Sequence, residues 1–166
     1  MQTYSFGDVR LDRRADIITE QIVATGSLVP RRFGGGRKGE LAAGRFLDSP
    51  KVTPEAILET HINRTAAAAQ GRRRIVAIQD TTEVNFSGRD RSRKGLGPGA
   101  DGKAKGFFIH ATVAVDPDSE QIVGVLDAQI WTRPPAGRRK RRQACTVEEK
   151  ETMRWITAMK CAHLRL

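Results

Sequence analysis

The chain has 166 residues, 39% of them apolar, and two cysteines; this is the size of one ordinary domain or two small ones, without a disulfide framework or paired zinc-ligand cysteines. A net charge of +10 and a pI near 10.4 favour polyanionic partners by counterion release and long-range steering, with nucleic acid the first candidate. No basic leader precedes an apolar run at the start, and no stretch approaches the ~18 apolar residues of a membrane span, so a cytoplasmic, nucleoid-associated protein without a membrane partner is expected.

Leu11, Ala15, Ile18 and Ile22 recur at helical spacing, with Asp8 as N-cap and Gly26 as stop. After a turn-rich stretch from Pro30 to Gly36, a short helix is predicted from about Gly39 to Leu47. The next begins with Thr53 as N-cap and Pro54 in the first turn, where the missing N–H costs nothing, and runs to Gln70-Gly71. From Arg72 the period changes: Ile75 to Ile78 reads as a strand covered on both faces, and Glu83 to Phe86 as a second strand. A glycine-rich basic loop over 88–106 leads to a strand through Phe107 and Val115, a turn at Asp116-Pro117-Asp118-Ser119, and a strand from Ile122 to Trp131. An antiparallel meander follows from this order. After the basic run Arg138–Arg142, Thr146 and Glu149 form a capping box opening a last helix with Trp155, Met159, Ala162 and Leu166 in a stripe. The expected class is α+β, with a helical domain over 1–71 and a sheet-containing domain over 72–166. Residues 1–71 carry ten Lys and Arg against eight Asp and Glu, and 72–166 nineteen against eleven, so the second part is the more basic.

Gly97 to Ala104 imitates a phosphate-binding P-loop, but Ala104 stands where a hydroxyl should ligate magnesium, and the loop leads into a strand rather than a helix. Arg138, Arg139, Lys140, Arg141 and Arg142 repel one another unless an anion is close, and they read as phosphate contacts that position DNA without reading its sequence. His110 reads as a core or sheet-face histidine, since no Cys or His lies at ligand spacing from it. Asp80, at the end of the Ile75–Ile78 strand and followed by Thr81 and Thr82, needs charge compensation, which a divalent cation or a turn hydrogen bond to Thr82 would supply.

Phe6-Gly7-Asp8 with Leu11 and Arg14, Gly44-Arg45-Phe46-Leu47-Asp48, Val52-Thr53-Pro54-Glu55-Ala56-Ile57 and Ala77-Ile78-Gln79-Asp80-Thr81-Thr82 occur in that order, followed by Gly95-Leu96-Gly97-Pro98, His110, Gly124-Val125-Leu126, Trp131 and Glu148-Glu149-Lys150-Glu151 with Trp155. This series resembles the N-terminal part of cut-and-paste insertion-sequence transposases of the insertion-sequence-four family, the Tn-five-like enzymes. The resemblance implies a helical domain that binds transposon-end DNA, followed by an RNase H-like core with an Asp-Asp-Glu metal triad. Asp80 matches the first acid, a catalytic and metal-ligating position, while Thr81 and Thr82 match its flanking residues. Arg45 matches a position expected to face DNA, and Arg14, Thr81, Thr82 and the run Arg138–Arg142 are assigned to DNA with it.

In the family pattern the second Asp and the Glu follow the segment represented here, so the chain is expected to be an incomplete transposase. Mg2+ is the cofactor of the intact core, with weak or absent binding expected here, because two-metal phosphodiester chemistry needs three carboxylates to place two cations ~3.5–4 Å apart. Glu83 and Asp127 are not placed by the family pattern to substitute. The expected activity is binding to double-stranded terminal repeats without cleavage, with an intact transposase or a separately encoded C-terminal half as protein partner. The alternatives are a regulator that inhibits an intact transposase by occupying ends or forming inactive mixed complexes, and an active metal-dependent nuclease.

Overall fold

The computed structural model describes residues 4–86, 94–102, 104–135 and 146–166. The chain is α+β, with five helices and four antiparallel strands among these residues. It divides into two compact units, Met1–Asn63 and Arg64–Leu166.

In the first unit, α1 (Val9–Thr25) begins where Asp8 accepts the Arg10 N–H and ends at Gly26, whose φ of 60° closes the helix in the left-handed region. Pro30–Phe33 forms a single helical turn, α2, where the sequence suggested only turns; Pro30 sits in its first turn and Phe33 is its buried anchor. Then come α3 (Arg37–Leu47) and the first part of α4 (Pro54–Ala69), a helix that runs past Asn63 and is capped by Thr53 Oγ1, which accepts the Ala56 N–H at 3.2 Å. Tyr4, Phe6, Ala15, Phe46 and Val52 make the core, with Leu11, Ile18, Ala56 and Ile57 packed around them. Tyr4 stacks on Phe6 and Phe6 meets Phe46 edge to face, both at 5.7 Å. The polar groups near this core are paired: Asp12 Oδ1 accepts the Phe6 N–H at 2.6 Å, and the Tyr4 hydroxyl lies 2.9 Å from Thr19 Oγ1 and 3.0 Å from His61 Nε2.

The second unit contains the sheet. Strands β1 (Val76–Asn85) and β4 (Gln121–Trp131) flank β3 (Lys105–Asp116), and the two-residue β2 (Gly97–Pro98) pairs with the start of β3. The two short strands expected around Asp80 are one strand of ten residues. Gln79, Asp80, Thr81 and Thr82 pair one for one with Thr112, Ala111, His110 and Ile109, so no irregularity breaks the ladder. Nor is β1 covered on both faces: Val76 and Ile78, which share a face, are 45% and 53% exposed.

The last helix, α5 (Met153–Arg165), starts later than the capping box suggested. Glu149 does reach back to accept the Thr146 N–H at 3.1 Å, yet residues 147–152 form turns. Its buried residues are Ala158 and Ala162; of the expected stripe Ala162 is buried, while Trp155, Met159 and Leu166 are largely exposed. Ala162 packs with Ala114 and Leu126, and small side chains permit this close approach of helix to sheet. Two cation–aromatic layers extend the packing: Arg154 lies 3.9 Å from the Trp131 ring centroid and Arg133 4.0 Å from that of Phe108, with the two rings stacked at 5.4 Å.

Candidate nucleic-acid interface and the Asp80 strand

The helical unit carries a groove of about 630 Å³ lined by Arg10, Arg14, Arg45 and Lys51, with Asp8 as its acid. Arg10 and Arg14 are one helical step of four residues apart and therefore share a face of α1. Arg45 comes from the last turn of α3. Its neighbour Phe46 is fixed in the core, which leaves Arg45 exposed and directed away from that core. Thus Arg14 and Arg45, assigned to DNA from widely separated motifs, line one concavity. The fold adds Arg10 and Lys51, which sequence reasoning did not single out; their proximity depends on how α1 packs against the segment after α3.

Asp8 serves both helix and groove. Its Oδ1 accepts the Arg10 backbone N–H at 2.9 Å, and its carboxylate pairs with the Arg10 guanidinium at 3.3 Å. The side-chain and then the backbone hydrogen bond from Arg10 hold the Asp8 carboxyl below the ordinary carboxylate range. Lys51 Nζ donates to the Gly7 carbonyl at 3.1 Å, so the Gly7-Asp8 turn orients two of the groove's cations. Four cations against one carboxylate give this open groove a net positive lining.

Asp80 lies in the middle of β1, exposed, rather than at a strand end. Its Oδ1 accepts the N–H of Thr81 at 2.7 Å, in place of the turn bond to Thr82. Strand alternation puts Asp80 and Thr82 on one face and Thr81 on the other. Thr81 Oγ1 lies 2.8 Å from Nδ1 of His110, whose Nε2 lies 3.0 Å from Gln79 Oε1. An amide oxygen can only accept, so Nε2 carries the proton and the Thr81 hydroxyl donates to Nδ1. His110 is completely buried, and that burial lowers its pKa below the ordinary histidine value. This is the core histidine that the sequence suggested.

The register separates the nearby acids. Asp80 pairs with Ala111, whereas Asp127 pairs with Thr112, the next residue of β3 and therefore on the opposite face. Glu83, an odd number of residues from Asp80, also points to the opposite side. Both are engaged: Asp127 with Arg165 at 2.9 Å, and Glu83 with the Ala100 N–H at 3.0 Å. Among the described residues no three His, Cys, Asp or Glu side chains gather as a metal-ligating group. Within the P-loop-like segment, Gly97 and Pro98 form β2 and the Gly99 N–H donates to the Ala104 carbonyl at 2.9 Å just before β3, so a strand rather than a helix follows. Arg138, Arg139, Lys140, Arg141 and Arg142 lie outside the described residues.

No known family model matches this chain. No helix among the described residues is long and apolar enough to cross a membrane.

Proposed function

We propose that this protein binds double-stranded DNA through its helical unit, as the DNA-binding part of a cut-and-paste transposase of the insertion-sequence-four type, with terminal repeats as the specific target. The observation that carries the reading is the convergence of Arg14 and Arg45, from separate helices, on one groove with Arg10 and Lys51. The ordered motifs quoted above supply the transposase assignment, and the overall charge of +10 supplies long-range attraction. On this reading the Asp80 unit is an RNase H-like core, with Thr82 on the Asp80 face beside the DNA and Mg2+ as the metal of a complete triad, while Thr81, assigned to DNA from the sequence, turns to the other face and engages His110. The separation of Asp80 from Glu83 and Asp127 by the strand pleat supports binding without cleavage.

If each of the four groove cations neutralises one phosphate, the groove contributes about −3.6 to the slope of the logarithm of affinity against the logarithm of salt, roughly a hundredfold between 50 and 200 mM. In gel-shift titrations on a terminal-repeat duplex, Arg14→Ala with Arg45→Ala should flatten that slope by about two and weaken binding on every sequence. An unchanged slope in the double variant would refute the groove, and equal affinity for repeat and random duplexes would refute end recognition.

Binding without cleavage also favours the regulatory reading, in which the protein inhibits an intact transposase by occupying ends or forming inactive complexes. Adding it to an active transposase should lower strand transfer; an unchanged rate would exclude this role.

A further inference from the structure

The corner between α2 and α3 carries a second basic cluster that the groove does not absorb. Arg31 and Arg32 occupy the last turn of α2, Arg37 and Lys38 the first turn of α3, and all four are exposed. Glu40 is the one acid in residues 31–40 and pairs with Arg37 at 2.9 Å. Arg31, Arg32 and Lys38 make no ion pair with a described residue. Like charges this close repel one another unless an anion is near.

The corner itself is closely packed. Gly36 and Gly34 donate their N–H groups to the carbonyls of Arg31 and Pro30, each at 2.9 Å, and Phe33 is buried beneath. Gly34 and Gly39 meet backbone to backbone: a Cβ on Gly34 would lie 2.6 Å from the Gly39 carbonyl carbon, and one on Gly39 would overlap Gly34. The four cations therefore project from a fixed frame. Lys38 is seven residues before Arg45 on α3, which places them on one helical face about 10 Å apart along the axis. That span is comparable to the ~12 Å width of the DNA major groove.

We propose that the α2–α3 corner is a second phosphate-binding surface, which contacts the sugar–phosphate backbone of duplex DNA alongside the Arg14–Arg45 groove. The proposal rests on the DNA-binding reading above. It assigns Arg31, Arg32 and Lys38 as positioning contacts, independent of base sequence.

The test measures duplex affinity against salt for three proteins: the wild type, Arg31→Ala/Arg32→Ala/Lys38→Ala, and a charge-matched control, Arg64→Ala/Lys105→Ala/Lys160→Ala, built from exposed cations elsewhere. The corner variant should lose about 2.7 from the salt slope, with the same proportional loss on repeat and random duplexes, while the control stays near wild type. All substituted side chains are exposed, and unchanged circular dichroism would verify the folds. If corner and control variants behave alike, the corner is not a contact surface. If Arg14→Ala/Arg45→Ala weakens binding but the corner variant does not, the DNA reading stands and the corner proposal falls. A wild-type protein that does not bind duplex DNA, including one that binds anionic vesicles instead, overturns both.

Discussion

His110 shows how one buried side chain ties a strand to its neighbour and makes the unit sensitive to pH. Its ring receives the Thr81 hydroxyl on one side, faces Gln79 on the other, and has Trp155 4.7 Å away, so both residues flanking Asp80 are held from β3. Burial lowers its pKa most; Asp127 and Asp80 pull it upward, and Arg154 pushes it down again. The unfolded ring takes up a proton at a higher pH than the folded one does. The stability from the neutral ring is therefore complete above about pH 6.5 and is lost as pH falls toward the lower folded value. Thermal unfolding should show a larger fall in Tm from about pH 7 to about pH 5 for the wild type than for His110→Gln. Equal falls in the two proteins would remove the imidazole from the explanation. His110 was legible as a core residue because apolar alternation surrounds it; its two hydrogen-bond partners were not, because cross-strand pairing depends on register.

At the scale of elements, local chemistry marked the helices well. Asp8 and Gly26 bound α1 as a side-chain cap and a left-handed stop, and Thr53 with Pro54 opens α4. Thr53→Ala should cost about 1 kcal/mol in denaturant unfolding, since the Ala56 N–H loses its acceptor; Thr53→Ser should recover most of it. A null effect of the alanine variant would mean that solvent replaces the cap fully. Elements whose character depends on neighbours were less legible. The apolar run from Ile75 to Ile78 resembles a buried central strand, yet β1 is paired on one edge among the described residues, and Val76 and Ile78, which share a face, are largely exposed. In α5 the stripe Trp155, Met159, Ala162 and Leu166 suggested the buried face; Ala162 is buried together with Ala158, whereas Met159 is half exposed and Trp155 lies against His110 of β3 yet stays 43% exposed. Close helix–sheet approach selects small residues, a requirement that helical periodicity does not encode.

For the whole molecule, charge and register lead to different expectations. A net +10 makes association with polyanions favourable and salt-sensitive, whereas the pleat keeps Asp80 on the opposite sheet face from Glu83 and Asp127. Supercoiled plasmid incubated with Mg2+ or Mn2+ should therefore remain supercoiled. Nicking that disappears in Asp80→Ala would show a metal site that these strands do not explain. The sequence by itself determined the caps of α1 and α4, the change from helical to strand period near Arg72, the antiparallel order of the long strands and the basic charge, because these depend on residues close together in the chain. The tertiary structure decided which distant cations share a groove, which face each carboxylate takes and which side of α5 is buried. Those outcomes depend on packing and register, which bring together residues such as Arg14 and Arg45 and separate Asp80 from Asp127.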